Sequence, residues 1–248
     1  MSAHGHFLVT LDKQAEIFEE RAKDVSRNFS VSQVHKFRVV CRRLRALFWL
    51  VPKEQRTRSV RRAIRDLKFL TDVFGEQRKL DIALKDAICF SRDTEEIERQ
   101  RADARRAVES AITKEKRRKY VKHLRRAVKR MRKYEWATLV PRMESLRARL
   151  ETAQKHPPRG NTAGHSLRIN AKKARYVLEA LGTPSSRLEQ LQDHLGRWHD
   201  LIVLDELTGH TAAMLSEKQR EWDTSQRMLK TTLTSATHAI DSLLHASR

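Results

Sequence analysis

Residues 34–50, VHKFRVVCRRLRALFWL, constrain the fold more than any other stretch. At the helical step of about 100° per residue, His35, Arg38, Arg42 and Arg45 fall on one stripe, with Phe37, Cys41, Leu44 and Phe48 on the opposite side. The segment therefore reads as an amphipathic helix whose polar face carries one sign of charge rather than a mixture. Such a ladder costs stability, since like charges at i,i+4 repel by about 0.2–0.5 kcal/mol per pair. A single basic face is ordinarily only a solvated surface. This one recurs.

His165, Arg168, Lys172 and Arg175 repeat the spacing, Lys173 stands where Arg43 does, and Leu167, Ala171, Ala174 and Leu178 replace the apolar side. Downstream, FLTDVFGEQRKLDIAL (69–84) pairs with QLQDHLGRWHDLIVL (190–204), so that Asp72 aligns with Asp193, Gly75 with Gly196 and Arg78 with His199. Two blocks in the same order imply a tandem duplication of a four-helix unit, over about 1–115 and 116–248. The expected fold is all-α: two four-helix bundles related by an internal pseudo-twofold, each burying its apolar stripe. The basic ladders are then expected to converge on a shared groove or central cavity. Periodicity alone adds two more ladders, Arg58, Arg61, Arg65 and Lys68, and Arg118, Lys122, Arg125, Lys129 and Arg132.

Element by element, a first helix is predicted over 7–29, and a second from near Val34 to before Pro52, capped by Ser30 or Ser32. A third is predicted over 54–74, with Gly75 as its C′ residue, and a long stretch over 77–115, interrupted near Ser91–Thr94. The basic window 114–133 forms the next helix, and Pro141 is expected to kink or restart the one that follows. HPPRGNTAG (156–164) reads as a loop, followed by a helix over 164–181 that ends at Gly182 and Pro184. A short helix over 185–195 and a long one over 198–245 complete the chain.

Lys and Arg total 52 against 31 Asp and Glu, a formal charge of +21. A folded chain so charged repels itself, and the excess is expected to meet a polyanion: nucleic acid, an anionic membrane or a phosphate polymer. Arginine suits such a role because its planar fork donates bidentate hydrogen bonds to phosphate oxygens. Aromatic residues make up only 6% of the chain and sit mostly at apolar positions, which argues against single-strand binding by base stacking. Cys41 and Cys89 are the two cysteines and read as reduced structural thiols, with no CxxC or zinc spacing. No secretory apolar region follows Met1 and no apolar run is long enough for a bilayer, so the expected location is cytoplasmic.

Metal binding and catalysis find little in the sequence. Zinc needs three or four converging donors, and no HxxxH, HExxH or Cys/His cluster is present; His194 and His199 are five apart. Glu96 and Glu98 share the alternation of the Glu-x-Glu-x-Lys strand of CYTH triphosphatases, but Gln100 replaces the Lys and the context is helical. No P-loop, nucleophile elbow or Rossmann glycine run appears. The expectation is a non-catalytic protein with no metal and no cofactor.

The pattern His-x-x-Arg-x-x-x-Arg-Arg-Leu-Arg at 35–45, its copy at 165–175, and the Gly-x-x-Arg/His segments at 75–82 and 196–203 resemble the CHAD family, the histidine-containing α-helical domains. The resemblance covers about residues 7–245. It implies two pseudo-symmetric four-helix bundles around a basic cavity that binds inorganic polyphosphate, occurrence alone or beside a CYTH triphosphatase domain, and for some members a place on polyphosphate granules. It also implies ligand-facing roles for His35, Arg38, Arg42, Arg45, His165, Arg168, Lys172 and Arg175, and for Arg78 and His199. This sequence departs from the family's Arg-Asp-hydrophobic-Asp run, since Lys79 follows Arg78 while Asp81 is kept.

Two other readings stand beside polyphosphate binding. A basic helical protein can bind nucleic acid, although no helix-turn-helix or zinc-finger spacing is seen. An accessory domain of a triphosphatase, or a cryptic hydrolase, is the other. Imidazoles among phosphates tend to be protonated, so binding is expected to tighten as pH falls from 8 to 6.

Overall fold

In the computed structural model, which describes residues 1–245, the chain is 87% helix with no strand among those residues. Nine α-helices follow in order: α1 (Ala3–Arg27), α2 (Val31–Trp49), α3 (Arg58–Cys89), α4 (Glu95–Ala111), α5 (Lys114–Met131), α6 (Trp136–Lys155), α7 (Gly160–Ala180), α8 (Ser186–Thr208) and α9 (Ala212–His245). They pack as two compact units, Leu8–Glu135 and Trp136 onward together with Met1–Phe7. The packing division thus follows α5, which lies against α3 in the first unit. The expected repeat boundary at 115/116 is a division of sequence and falls within the first turn of α5.

Helix starts are set by hydroxyl caps. Ser30 Oγ accepts from the Gln33 N–H at 3.3 Å, Thr57 from Val60 at 3.5 Å, and Ser185 from Leu188 at 3.3 Å. Each satisfies one of the N–H groups a first turn leaves without an intrahelical partner. Two stops depend on glycine in the left-handed region. After α7, Gly182 (φ +85°) donates to the Glu179 carbonyl and Thr183 to that of Leu178, a Schellman closure. After α8, Gly209 (φ +72°) ends the helix.

The two glycines expected to mark boundaries do not. Gly75 lies inside the unbroken α3, and Gly196 inside the unbroken α8, so the predicted helices 54–74, 77–115, 185–195 and 198–245 are redrawn. Neither glycine adopts positive φ, and a helical run with well-packed apolar positions on both sides continues through a glycine at a cost of about 1 kcal/mol. The chain does turn at Ser91 (φ 52°), between α3 and α4, within the interruption expected near Ser91–Thr94. Pro141 likewise does not restart a helix; it stands within α6, which begins at Trp136.

The first unit closes on a phenylalanine column. Phe18 and Phe37 lie 5.3 Å apart, and Phe37 and Phe74 4.8 Å apart edge to face. The predicted apolar face of α2, Phe37, Cys41, Leu44 and Phe48, is fully buried. Each such residue contributes roughly 1.5–3 kcal/mol by burial. That outweighs the few tenths lost at each like-charged rung on the other face. Asp81, buried, accepts from Gln77 at 2.9 Å and from Arg101 at 2.7 Å, tying α4 to α3. Cys41 is buried, and burial raises its thiol; Cys89, expected to be structural, is exposed at the end of α3, past the packed part of that helix.

In the second unit Leu167, Ala171, Ala174 and Leu178 are buried as predicted. Trp198 and Trp222 stack at 4.8 Å against Gly164, where a Cβ would come within 2.6 Å of the Trp198 ring. Gly164 is therefore a packing glycine that lets α7 approach α8 and α9 closely. Among the described residues no helix is long and apolar enough to cross a membrane.

Candidate polyanion-binding site

In the first unit the ladder of α2 faces the Asp72–Arg78 stretch of α3. His35 is exposed, while Arg38, Arg42 and Arg45 are half-buried. The His35 imidazole is held below its ordinary range by partial burial, then by the charges of Arg78, Arg38 and Arg42. So these four side chains share one positive field. Burial also lowers the Arg45 guanidinium, against the pull of Asp72. Asp72 in turn accepts from Lys68 at 2.6 Å, which links the α3 ladder to the same stripe. Gly75 has a role in this arrangement. A Cβ there would lie 3.5 Å from Arg38 Nε, so the guanidinium rests on bare helix backbone where a larger side chain would displace it.

The second unit repeats the arrangement with histidines facing each other. The rings of His165 on α7 and His199 on α8 are 4.9 Å apart. His199 is pushed down to about 3 by burial, then by Arg168, His165 and Lys172. His165 is lowered by burial and by the charges of Arg168 and Lys172. Lys172 itself is only 8% exposed, which is unusual for an ammonium group. Arg175 differs from the rest of its ladder: its Nε donates to Glu179 at 2.7 Å and its Nη2 to Glu189 at 2.6 Å. Burial works against that guanidinium's charge, but the two carboxylates more than offset it and raise it overall.

Three imidazoles, lowered first by burial and then by neighbouring cations, mark two concentrations of positive charge in two separate helix pairs. Residues 10–209, most of the chain, match the CHAD domain family.

The chain belongs to the CHAD-domain family.

Two solved structures are similar in fold. PptA from Streptomyces chartreusis is 14% identical with a TM-score of 0.60, the match covering 97% of this chain and 98% of that one. The CHAD domain from the plant Ricinus communis is 19% identical with a TM-score of 0.61, covering 100% and 93%. At those identities the likeness concerns the fold alone. No curated protein matches the sequence.

The two ladders read from periodicity alone divide differently in this CHAD domain. Arg61 and Arg65 are exposed on α3. Arg58 instead lines a cavity of about 850 Å³ with Lys129 of α5. Arg118, Lys122 and Arg125 line a second hollow of about 580 Å³ beside Glu19 of α1, which accepts from Arg125 at 2.5 Å. Arg132 pairs with Asp12 at 2.8 Å. The predicted single face of α5 is thus parted between two hollows. Arg62, Arg126, Arg130 and Lys133, which line the larger one, were not among the predicted site residues. The spacing 126, 129, 130, 133 is itself helical, so the signal was present but masked by a window in which most residues are basic. Among the described residues no three His, Cys, Asp or Glu side chains come together as a metal site.

Proposed function

We propose that this CHAD domain binds inorganic polyphosphate along its two His/Arg/Lys ladders, without catalysing a reaction on it. The observation that carries the reading is the gathering of His35 with Arg38, Arg42 and Arg78 in one unit, and of His165 and His199 with Arg168 and Lys172 in the other, close enough that these charges, after burial, lower the imidazoles. A phosphate chain would meet these groups through charge-assisted hydrogen bonds, each worth about 1.5–3 kcal/mol.

Burial selects among polyanions. The arginines are half-buried and Lys172 is buried, which suits a slender polymer that can lie between side chains better than a wide duplex. Nucleic acid is the second reading, favoured by the net charge of +21. The non-catalytic reading is supported by the make-up of the ladders, cations and imidazoles that suit holding a phosphate chain. An accessory role beside a phosphate-metabolising enzyme is compatible with binding alone. The location this function suggests is the cytoplasm, on polyphosphate granules.

The test is a titration with polyphosphates of graded length at physiological salt, with duplex DNA as competitor. Polyphosphate is expected to displace DNA, and Arg38→Ala with Arg42→Ala to weaken polyphosphate binding by at least about tenfold with helicity intact. An unchanged affinity in the double variant moves the site elsewhere, and displacement of polyphosphate by DNA favours the second reading. Tripolyphosphate incubated with Mg²⁺ is expected to release no phosphate.

A further inference from the structure

The cavity of about 850 Å³ in the first unit lies apart from the α2 ladder, between the first turn of α3 and the C-terminal half of α5. Six cations line it: Arg58 and Arg62 from α3, and Arg126, Lys129, Arg130 and Lys133 from α5 and the residues just after it. None of the six makes an ion pair among the described residues. Their neighbours on α5 behave differently, for Arg125 is neutralised by Glu19 at 2.5 Å and Arg132 by Asp12 at 2.8 Å, both from α1. On one side of α5 the cations are matched by carboxylates, whereas the six that line the cavity are not. Self-repulsion of that kind is costly within a Debye length of about 8–10 Å.

The walls are held in place independently of the cations. The Tyr134 hydroxyl donates to the Gln55 carbonyl at 2.7 Å and accepts from the Thr57 N–H at 3.4 Å, fixing the start of α3 to the end of α5. His123, which also lines the cavity, is bonded through Nδ1 to Asp66 of α3 at 2.5 Å, a second tie between the same helices. Thr57 caps α3, so the N-terminal amides of a 32-residue helix add their positive end to the field. The volume exceeds what one phosphate group needs, and six cations exceed what one phosphate neutralises.

We propose that this cleft is a second anion site, self-contained in the first unit, which takes a short oligophosphate or the end segment of a phosphate polymer. It shares with the proposed function only the phosphate chemistry of the ligand, and its residues are separate from the two histidine-led ladders of α2 and α7.

The test uses the full chain with Arg62→Gln, Arg126→Gln and Lys129→Gln, alone and combined with Arg38→Ala and Arg42→Ala, titrated calorimetrically with tripolyphosphate and with long-chain polyphosphate. The ladder variant is expected to keep tripolyphosphate binding. Adding the cleft changes is expected to weaken it by at least about tenfold. If the end of a polymer is the source, long chains lose the same site; if only free oligophosphate enters, long-chain binding to the ladders is unaltered by the cleft changes. Equal tripolyphosphate affinity with and without the cleft changes, on the ladder-variant background, overturns the proposal. So does displacement of tripolyphosphate from the ladder variant by duplex DNA. Without ligand, the cleft variant is expected to melt at or above the wild-type temperature, since it loses only repulsion; a lower melting temperature assigns these cations a structural role and also overturns the proposal. Failure of the ladder reading shows separately, as unchanged long-chain affinity in the Arg38→Ala, Arg42→Ala variant.

Discussion

His199 combines three effects at one atom group: partial burial, a second imidazole with its ring 4.9 Å away, and the charges of Arg168 and Lys172. All act against protonation, which takes it from 6.5 to about 3. In the unfolded chain those neighbours disperse and the imidazole titrates near 6.5. Between those values the unfolded state binds more protons than the folded one, so stability is full above pH 6.5 and falls as pH drops below it. Denaturation midpoints measured from pH 7 to pH 5 are expected to decline, and His199→Asn to flatten the decline; an unaltered slope would place the ring outside that field. On the proposed reading, bound phosphate reverses the field and binding takes up protons. The rise in melting temperature on adding polyphosphate is therefore expected to be larger at pH 6 than at pH 8, and equal shifts would remove the histidines from the contact.

At the scale of the helix, α3 illustrates how one position serves stability and function in opposite senses. Gly75 weakens the middle of a 32-residue helix, yet its bare backbone supports the Arg38 guanidinium. A methyl there meets Arg38 Nε at ordinary contact distance, so Gly75→Ala is expected to stabilise the protein by up to about 1 kcal/mol in chemical denaturation. Gly75→Leu is expected to displace Arg38 and weaken polyphosphate binding while leaving the helix formed. The faces of α2 and α7 were legible from the order of residues alone, because period 3.6 separates Phe37, Cys41 and Leu44 from Arg38, Arg42 and Arg45 without reference to any neighbour. Gly75 and Gly196 misled because a glycine marks a stop only where positive φ is needed, as at Gly182 and Gly209, and that need comes from the chain's path afterwards. The α3–α5 cleft was not legible for another reason. Which side of a uniformly basic helix meets Glu19 and Asp12, and which meets Arg58 and Arg62, depends on how α1, α3 and α5 pack.

Over the whole molecule the formal charge of +21 sets the response to salt. Without ligand, raising salt from 0.1 to 0.5 M screens the repulsion and is expected to raise the melting temperature. With polyphosphate the same change is expected to reduce the ligand-induced shift, because affinity that depends on released counterions falls steeply with salt. A ligand shift insensitive to salt would mean that the phosphates are held by something other than these charges. Membership of the CHAD family and the all-helical fold fit this picture but do not by themselves set the binding strength.

Arg175 engages Glu179 and Glu189, one turn beyond the buried Lys172. An anionic thread laid along α7 from His165 meets like charge as soon as it passes Lys172, at the end of the helix where the carbonyl dipole is also negative. On the proposed reading, the track is then about 10 Å long, from the seven helical steps between His165 and Lys172. That helix carries its own ruler, with a fixed stop that limits how much of a chain it can grip.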